Sequence, residues 1–230
     1  MPTTRSNRSG TVEILRLQLA TLHGADWPER FPVHGFVILH PREGPILVDT
    51  GVGGPEAWLS DWRCVNRTMA DALSEHGLSP VDIRIVINSH LHFDHCGQNS
   101  VFKHAPFYVQ RSELERAREQ SRALVDWFDF AGARFELLDG DCQIAEGVRA
   151  VATPGHTVGH QSLLVDGVSG RQLLIGDAAY TSGPYLDPDA APLRNGQAAD
   201  PVAWRDSVRR LKAFQPAAVH FCHDPLVVTA

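Results

Sequence analysis

One stretch constrains this chain more than any other: residues 89–97, SHLHFDHCG, bring His90, His92, Asp94 and His95 within a few positions of each other. With 12 His in 230 residues, independent placement would produce that spacing in roughly two chains in a thousand. Neutral imidazole nitrogen and carboxylate oxygen are the donors that borderline divalent cations such as zinc take. The stretch therefore reads as metal-binding, and a fold that satisfies it must bring further donors from elsewhere in the chain.

The apolar run IRIVINS ends immediately before His90. The cluster thus lies where a buried strand runs out into a loop, which is where open sheets gather their ligands. Alternate side chains of an extended segment share a face, so His90 and His92 can address one ion, with Asp94 and His95 addressing another across the turn. Each pair needs partners, and three later segments offer them. ATPGHTVGH (152–160) sets His156 on a Pro-Gly turn after a strand, LLIGDAAY (173–180) sets Asp177 after a strand and a glycine, and VHFCHD (219–224) closes the last strand at His223. A single histidine after a strand is more often a hydrogen-bonded structural residue, and an aspartate after glycine a turn former. Beside residues 89–97, all three are candidate ligands.

Strand patterns run over VEILRLQLA from 12, HGFVILH from 34, PILVDTG from 45, DIRIVINSH from 82 and PFYVQ at 106–110. Helices are expected over about 67–76 and from SELERAREQSRAL, where Ser112 and Glu115 form a capping box. Short strands follow at 135–138, 143–144, 148–153, 161–165 and 172–175, then a helix over 201–214 opened by proline and a last strand at 217–221. Many strands and few helices in mixed order predict a layered α/β (α+β) fold, and 43% hydrophobic content suits a single domain over 1–230. The irregular stretch 181–201 is either a loop that covers a substrate or a solvated connector.

The net charge of -6 and the scattering of 21 Lys and Arg argue against nucleic acid as a partner. Neither an export signal nor a membrane span is readable, so a cytoplasmic protein is expected. Cys64, Cys96, Cys142 and Cys222 lack CxxC spacing and read as reduced thiols, Cys96 and Cys222 as packing residues beside the histidines.

ILVDTG, SHLHFDHCG, TPGHTVGH, GDA and the terminal HD, in that order, resemble the metallo-β-lactamase superfamily over nearly the whole chain. The resemblance implies an αββα four-layer sandwich with a metal site at one edge of its two sheets. It implies that His90, His92 and His156 hold one zinc, that Asp94, His95 and His223 hold a second, and that Asp177 bridges them, other divalent metals being compatible. EGPILVDTG, SHLHFDHCGQN, TPGHTVGHQSL and GDAAYT look most like the N-acyl homoserine lactone hydrolases, in which a tyrosine three residues after the bridging aspartate contacts the substrate carbonyl. Tyr180 holds that place.

Other branches fit less well. Exported β-lactamases carry a signal peptide, and many place a cysteine where Asp177 stands. Thioesterases of the glyoxalase II type carry a glutathione-gripping helical extension after the last ligand, and the related nucleases an inserted domain or basic arm. None of these is readable here.

The mechanism so implied has a metal-bridging hydroxide attack the lactone carbonyl while a zinc and the Tyr180 hydroxyl hold the developing oxyanion, Asp94 or a water returning the proton. A small-molecule lactone is the expected substrate, with no membrane partner and with room for a homodimer. The superfamily suggests Asp49 as a group orienting the ligands, although a strand-ending Asp-Gly turn explains it equally well. His160 and His220 are expected to pack or hydrogen-bond, and His23, His34, His40, His76 and His104 to be surface or structural. An acyl tail needs an apolar channel, for which Trp27, Phe31, Phe36, Phe93, Tyr185 and Leu186 are available.

Overall fold

Alternation along the longest strands decides the architecture. The computed structural model describes residues 12–24, 29–120, 127–190, 193 and 196–230. The first half comprises β1 (Glu13–Leu22), β2 (Phe31–His40), β3 (Gly44–Val48), α1 (Glu56–Asp61), β4 (Val65–Asn66), α2 (Met69–Ser74), β5 (Ile85–Ile87), α3 (Phe93–Cys96), β6 (Phe107–Gln110), α4 (Arg111–Gln120) and β7 (Phe135–Leu138). The second comprises β8 (Cys142–Ala145), β9 (Val148–Ala152), β10 (Gln161–Gly167), β11 (Gly170–Leu174), α5 (Ser182–Leu186), α6 (Pro201–Ala213), β12 (Ala218–His220) and β13 (Val227–Thr229).

One sheet has the order β4-β1-β2-β3-β5-β6-β7, antiparallel as far as β3 and parallel from β3 to β7. The other has the order β13-β12-β11-β10-β9-β8 and is antiparallel except between β11 and β12. Phe36, Ile38, Ile46 and Val48 of the first sheet face Val148, Ala150, Leu163 and Val165 of the second, forming the central layer. The intervening Val37 and Leu47 point the other way, onto Met69, Ala72 and Leu73 of α2. Leu164 and Leu173 likewise turn outward onto Trp204, Val208 and Leu211 of α6. Two-residue periodicity thus gives each sheet two apolar faces, and a helix layer covers each outer face. The result is an αββα sandwich in which each buried aliphatic side chain contributes about 1.5–3 kcal/mol.

Most expected elements form, with instructive exceptions. The strand expected from residue 82 is reduced to Ile85–Ile87: Pro80–Asp82 makes a 3₁₀ turn capped by Ser79, and Asn88 leaves the sheet to exchange amide hydrogen bonds with Asn99. The Ser112–Glu115 capping box does not form, because α4 starts at Arg111 straight from β6 and leaves both side chains exposed within the helix. Residues 121–124 of that expected helix lie outside the described residues. The helix from Pro201 does form, with Asp200 as its cap accepting from Val202 and Ala203 N–H. No helix among the described residues is long and apolar enough to cross a membrane.

Candidate metal centre

β5 is flanked by parallel neighbours and stops at Ile87, so the chain that follows emerges at one edge of the sandwich. Ser89 N–H and Oγ donate to the two oxygens of Asp49, which sits just past β3. The His92 carbonyl then accepts from His95 and Cys96 N–H, folding residues 93–96 into the single turn α3 and swinging Asp94 and His95 back toward His90. The loop after β3 presses against the end of this turn: a Cβ on Gly53 would stand 2.1 Å from the Gly97 carbonyl oxygen, so only glycine fits. His156 follows β9, Asp177 follows β11 and His223 follows β12. All seven candidate ligands meet at this edge.

His90 Nε2, His92 Nδ1 and His156 Nε2 lie 2.9–3.1 Å from one another. His156 donates its Nδ1 hydrogen to the Gln197 carbonyl. Ser89 Oγ, its own hydrogen committed to Asp49, accepts from His90 Nδ1 at 3.1 Å. Both Nε2 atoms therefore carry lone pairs, which face each other at 3.1 Å. Burial first, then neighbouring charges, push His90 well below the usual imidazole range, while His92 and His156 fall to about 4. The two facing lone pairs repel unless His92 Nδ1 lends them a hydrogen or a cation sits among the three rings. Ligand nitrogens about 2.0–2.1 Å from a tetrahedral zinc stand about 3.3 Å apart, close to the spacing found here.

The neighbouring group has the opposite character. His95 donates Nδ1–H to Asp49 at 2.8 Å, and His223 donates Nδ1–H to the Pro32 carbonyl at 2.9 Å. Their Nε2 atoms each lie 3.3 Å from Asp177 Oδ1, with Asp94 Oδ2 at 3.7 and 3.6 Å. His95 Nε2 and Asp177 Oδ1 are buried without a hydrogen-bond partner. Burial opposes charge on these histidines, but Asp177 and Asp94 outweigh it and raise both, His95 strongly. The two carboxylates make this half favour positive charge, on a proton or a metal ion. Asp177 turns its other oxygen, Oδ2, toward His156 at 3.3 Å and His90 at 3.7 Å. Burial disfavours its charge as well, but His95, His223 and His156 keep its carboxyl well below the usual range. Two sets of donors suited to a divalent cation thus flank one carboxylate.

The site opens into a cavity of about 270 Å³ lined by Leu22, Phe31, Trp62, Phe93 and Tyr180 over the polar floor. Tyr180 lies with its ring 5.5 Å from His156 and 5.2 Å from His223, and its hydroxyl donates to the Gly196 carbonyl. Burial, then Asp177 and Asp94, raise it well above the usual phenol range, so it keeps its proton. Of the residues expected to form an apolar channel, Phe31 and Phe93 line this cavity, and Trp27 lies outside the described residues. Phe36 belongs to the central layer, Tyr185 packs on Phe221 under α6, and Leu186 is exposed. Trp62 and Leu22 were not anticipated. Of stretch 181–201, Gly196 reaches the cavity wall, and residues 191, 192, 194 and 195 lie outside the described residues.

Of the remaining histidines, His34, His40 and His104 hydrogen-bond within the fold and His76 is exposed. His160 takes the N–H of Asp177 on Nε2 at 2.9 Å and holds Thr153 on Nδ1 at 2.8 Å, while His220 donates to Gln172. Asp49 is both turn and anchor, with φ 59 and its carboxylate on His95 and Ser89. Cys96 and Cys222 are buried thiols. Glu113, which no sequence motif marked, contacts both histidine loops.

The profile of the Metallo-beta-lactamase superfamily matches residues 29–223. An N-acyl homoserine lactonase of Bacillus sp. is 38% identical over 160 residues, a stretch covering 63% of this chain and 63% of that protein. An N-acyl homoserine lactonase of Bacillus thuringiensis is 33% identical, with 81% of this chain and 79% of the other covered. Among solved structures, an N-acyl homoserine lactone hydrolase with the product N-hexanoyl-L-homoserine bound at its catalytic metal center superposes with TM-score 0.76 at 28% identity, covering 94% of each chain.

Proposed function

The chain belongs to the metallo-β-lactamase superfamily, and on that premise we propose that it hydrolyses the ring ester of N-acyl homoserine lactones, using two zinc ions held at the sandwich edge. The seat of Asp177 carries this reading: one oxygen faces each donor set, beneath a protonated tyrosine and an apolar cavity. His90, His92 and His156 are assigned to one ion, Asp94, His95 and His223 to the other, and Asp177 to both. The mixed nitrogen and oxygen donors suit zinc. Bound there, a pair of divalent cations supplies a hydroxide nucleophile at neutral pH and polarises the carbonyl.

The protein's own groups do the rest. Tyr180, its proton secured by burial, shifts its hydrogen bond from Gly196 to the lactone carbonyl oxygen as negative charge builds there. Asp94, at the cavity floor, would take up the proton of the adding hydroxide and pass it to the leaving alkoxide as the ring C–O bond breaks, leaving the product as a carboxylate. Leu22, Phe31, Trp62 and Phe93 receive the acyl tail and exclude water from it. The same reading makes the protein one domain, acting in the cytoplasm on a small molecule, without nucleic acid or membrane as partner and with a homodimer open to it.

The deciding experiment is a panel of short- and long-chain acyl homoserine lactones assayed by acid release, beside a glutathione thioester. Ring opening with about two zinc ions per chain is expected. Cleavage of the thioester alone would replace the lactonase reading with a thioesterase of the glyoxalase II type.

A further inference from the structure

Glu113 is a carboxylate sealed from solvent in the first turn of α4, and no step above uses it. A buried charge persists only where its oxygens are filled, and the groups that fill these are specific. Oε1 accepts the backbone N–H of Leu91, between His90 and His92, at 2.9 Å. Oε2 accepts the hydroxyl of Thr157, next to His156, at 2.6 Å. The Arg116 guanidinium donates to both oxygens. Gly159 lies flush on the same turn, where a Cβ would stand 2.2 Å from the Glu113 nitrogen. Burial opposes the charge on Glu113, but Arg116, Thr157 and Leu91 hold its carboxyl below the usual range. A single side chain thus ties together the two loops that deliver His90, His92 and His156, loops far apart in sequence and brought to one point by the packing of α4.

We propose that Glu113 is a positioning residue that sets the spacing of these three imidazoles and so tunes the affinity of their half of the site for its divalent cation. This rests on the two-cation reading above. Glutamine matches glutamate in shape but keeps one acceptor oxygen: with that oxygen on Leu91 N–H, its amide must donate to Thr157 Oγ and reverse that bond, and Arg116 loses its counter-charge. Thr157→Val is milder, releasing the His156 loop while leaving the Glu113–Arg116 pair intact.

The test is titration of chelator-stripped protein with zinc chloride by calorimetry, with folding checked by circular dichroism. Wild type should bind two equivalents. Glu113→Gln should lose about 10–100-fold in affinity at one site and keep wild-type affinity at the other. Thr157→Val should weaken the same site less, and Thr157→Ser should restore it. In a His223→Ala background, which disables the other half, the remaining equivalent should show the Glu113→Gln loss directly. If Glu113→Gln does not fold, the Thr157 pair decides alone. Unchanged affinities, or equal losses at both sites, overturn the role of Glu113. A wild type that takes up no zinc overturns the two-cation reading and this assignment with it.

Discussion

Asp49 accepts the Nδ1 hydrogen of His95 at 2.8 Å, fixing the ring so that Nε2, whether it carries a proton or a metal ion, faces Asp94 and Asp177. Asp49 occupies the left-handed region at φ 59, where asparagine is also well tolerated. Asp49→Asn therefore removes the charge while sparing the turn. Zinc affinity of the Asp94, His95 and His223 half should fall about 10–100-fold, with the far-ultraviolet circular dichroism unchanged. Zinc content after dialysis against a graded chelator series measures it, and wild-type retention would mean that His95 is oriented by something else.

Tyr180→Phe should lower kcat on an acyl homoserine lactone by at least about tenfold, less than the 10²–10³ typical of a lone oxyanion donor because cations would share the charge. Zinc content should stay at the wild-type level, since the Tyr180 hydroxyl bonds Gly196 and lies outside both donor sets. Steady-state kinetics beside elemental analysis separates the two effects. An unchanged kcat would remove Tyr180 from the chemistry.

The convergence at the sandwich edge was legible in the sequence because it depends on residue type at strand ends. His90, His156, Asp177 and His223 each follow an apolar run; β9, β11 and β12 run the same way in the second sheet, β9 and β11 as alternate strands and β11 and β12 as parallel neighbours, so their runs stop at one rim. The cavity wall was less legible. Phe36 shares the parity of Ile38 on β2, so the alternation itself assigns it to the central layer. Trp62 could not be placed, because α1 is too short to carry a helical period and only tertiary packing sets this ring 6.0 Å from Phe93. Glu113 carries no local signal for a similar reason: its partners Leu91 and Thr157 come from two distant loops.

Chelation should destabilise the protein reversibly. With free zinc a hundredfold above each dissociation constant, binding to the folded state alone adds about 2.7 kcal/mol per site. At about 2–4 °C per kcal/mol for a chain of this size, stripping both sites should lower Tm on the order of 10 °C, and zinc should restore it. Calorimetric scans with and without chelator give the shift. An unmoved Tm would mean that the folded state gains nothing from the ion.

Stability should decline as pH falls through the range between the two His220 pKa values. Burial and then Arg16 depress His220 from 6.5 to about 4 in the folded protein. Between those values the unfolded chain binds a proton at this position and the folded protein does not, so stability rises with pH across the window and is lost as pH falls toward 4. His220→Gln removes that proton. Its stability slope against pH, from urea midpoints, should be flatter than wild type by up to one proton, about 1.4 kcal/mol per pH unit. Parallel slopes would show that His220 titrates alike in both states.

Trp62 connects the aromatic residues at the cavity mouth, its ring 6.1 Å from Phe31 and 6.0 Å from Phe93. Phe31 in turn meets His223 at 5.2 Å, so the apolar wall runs unbroken to the candidate metal centre. An acyl tail laid along it would gain about 0.8 kcal/mol per methylene buried. Trp62→Ala removes the middle of that wall without touching a donor or Tyr180. For a long-chain lactone KM should rise about tenfold or more, the equivalent of roughly two lost methylene contacts, whereas a short-chain lactone should be hydrolysed almost as by wild type. The ratio of kcat/KM for the two substrates is the readout, because it cancels any change in metal loading common to both. A uniform loss across chain lengths would place the tail elsewhere and assign Trp62 to packing α1 against the sandwich.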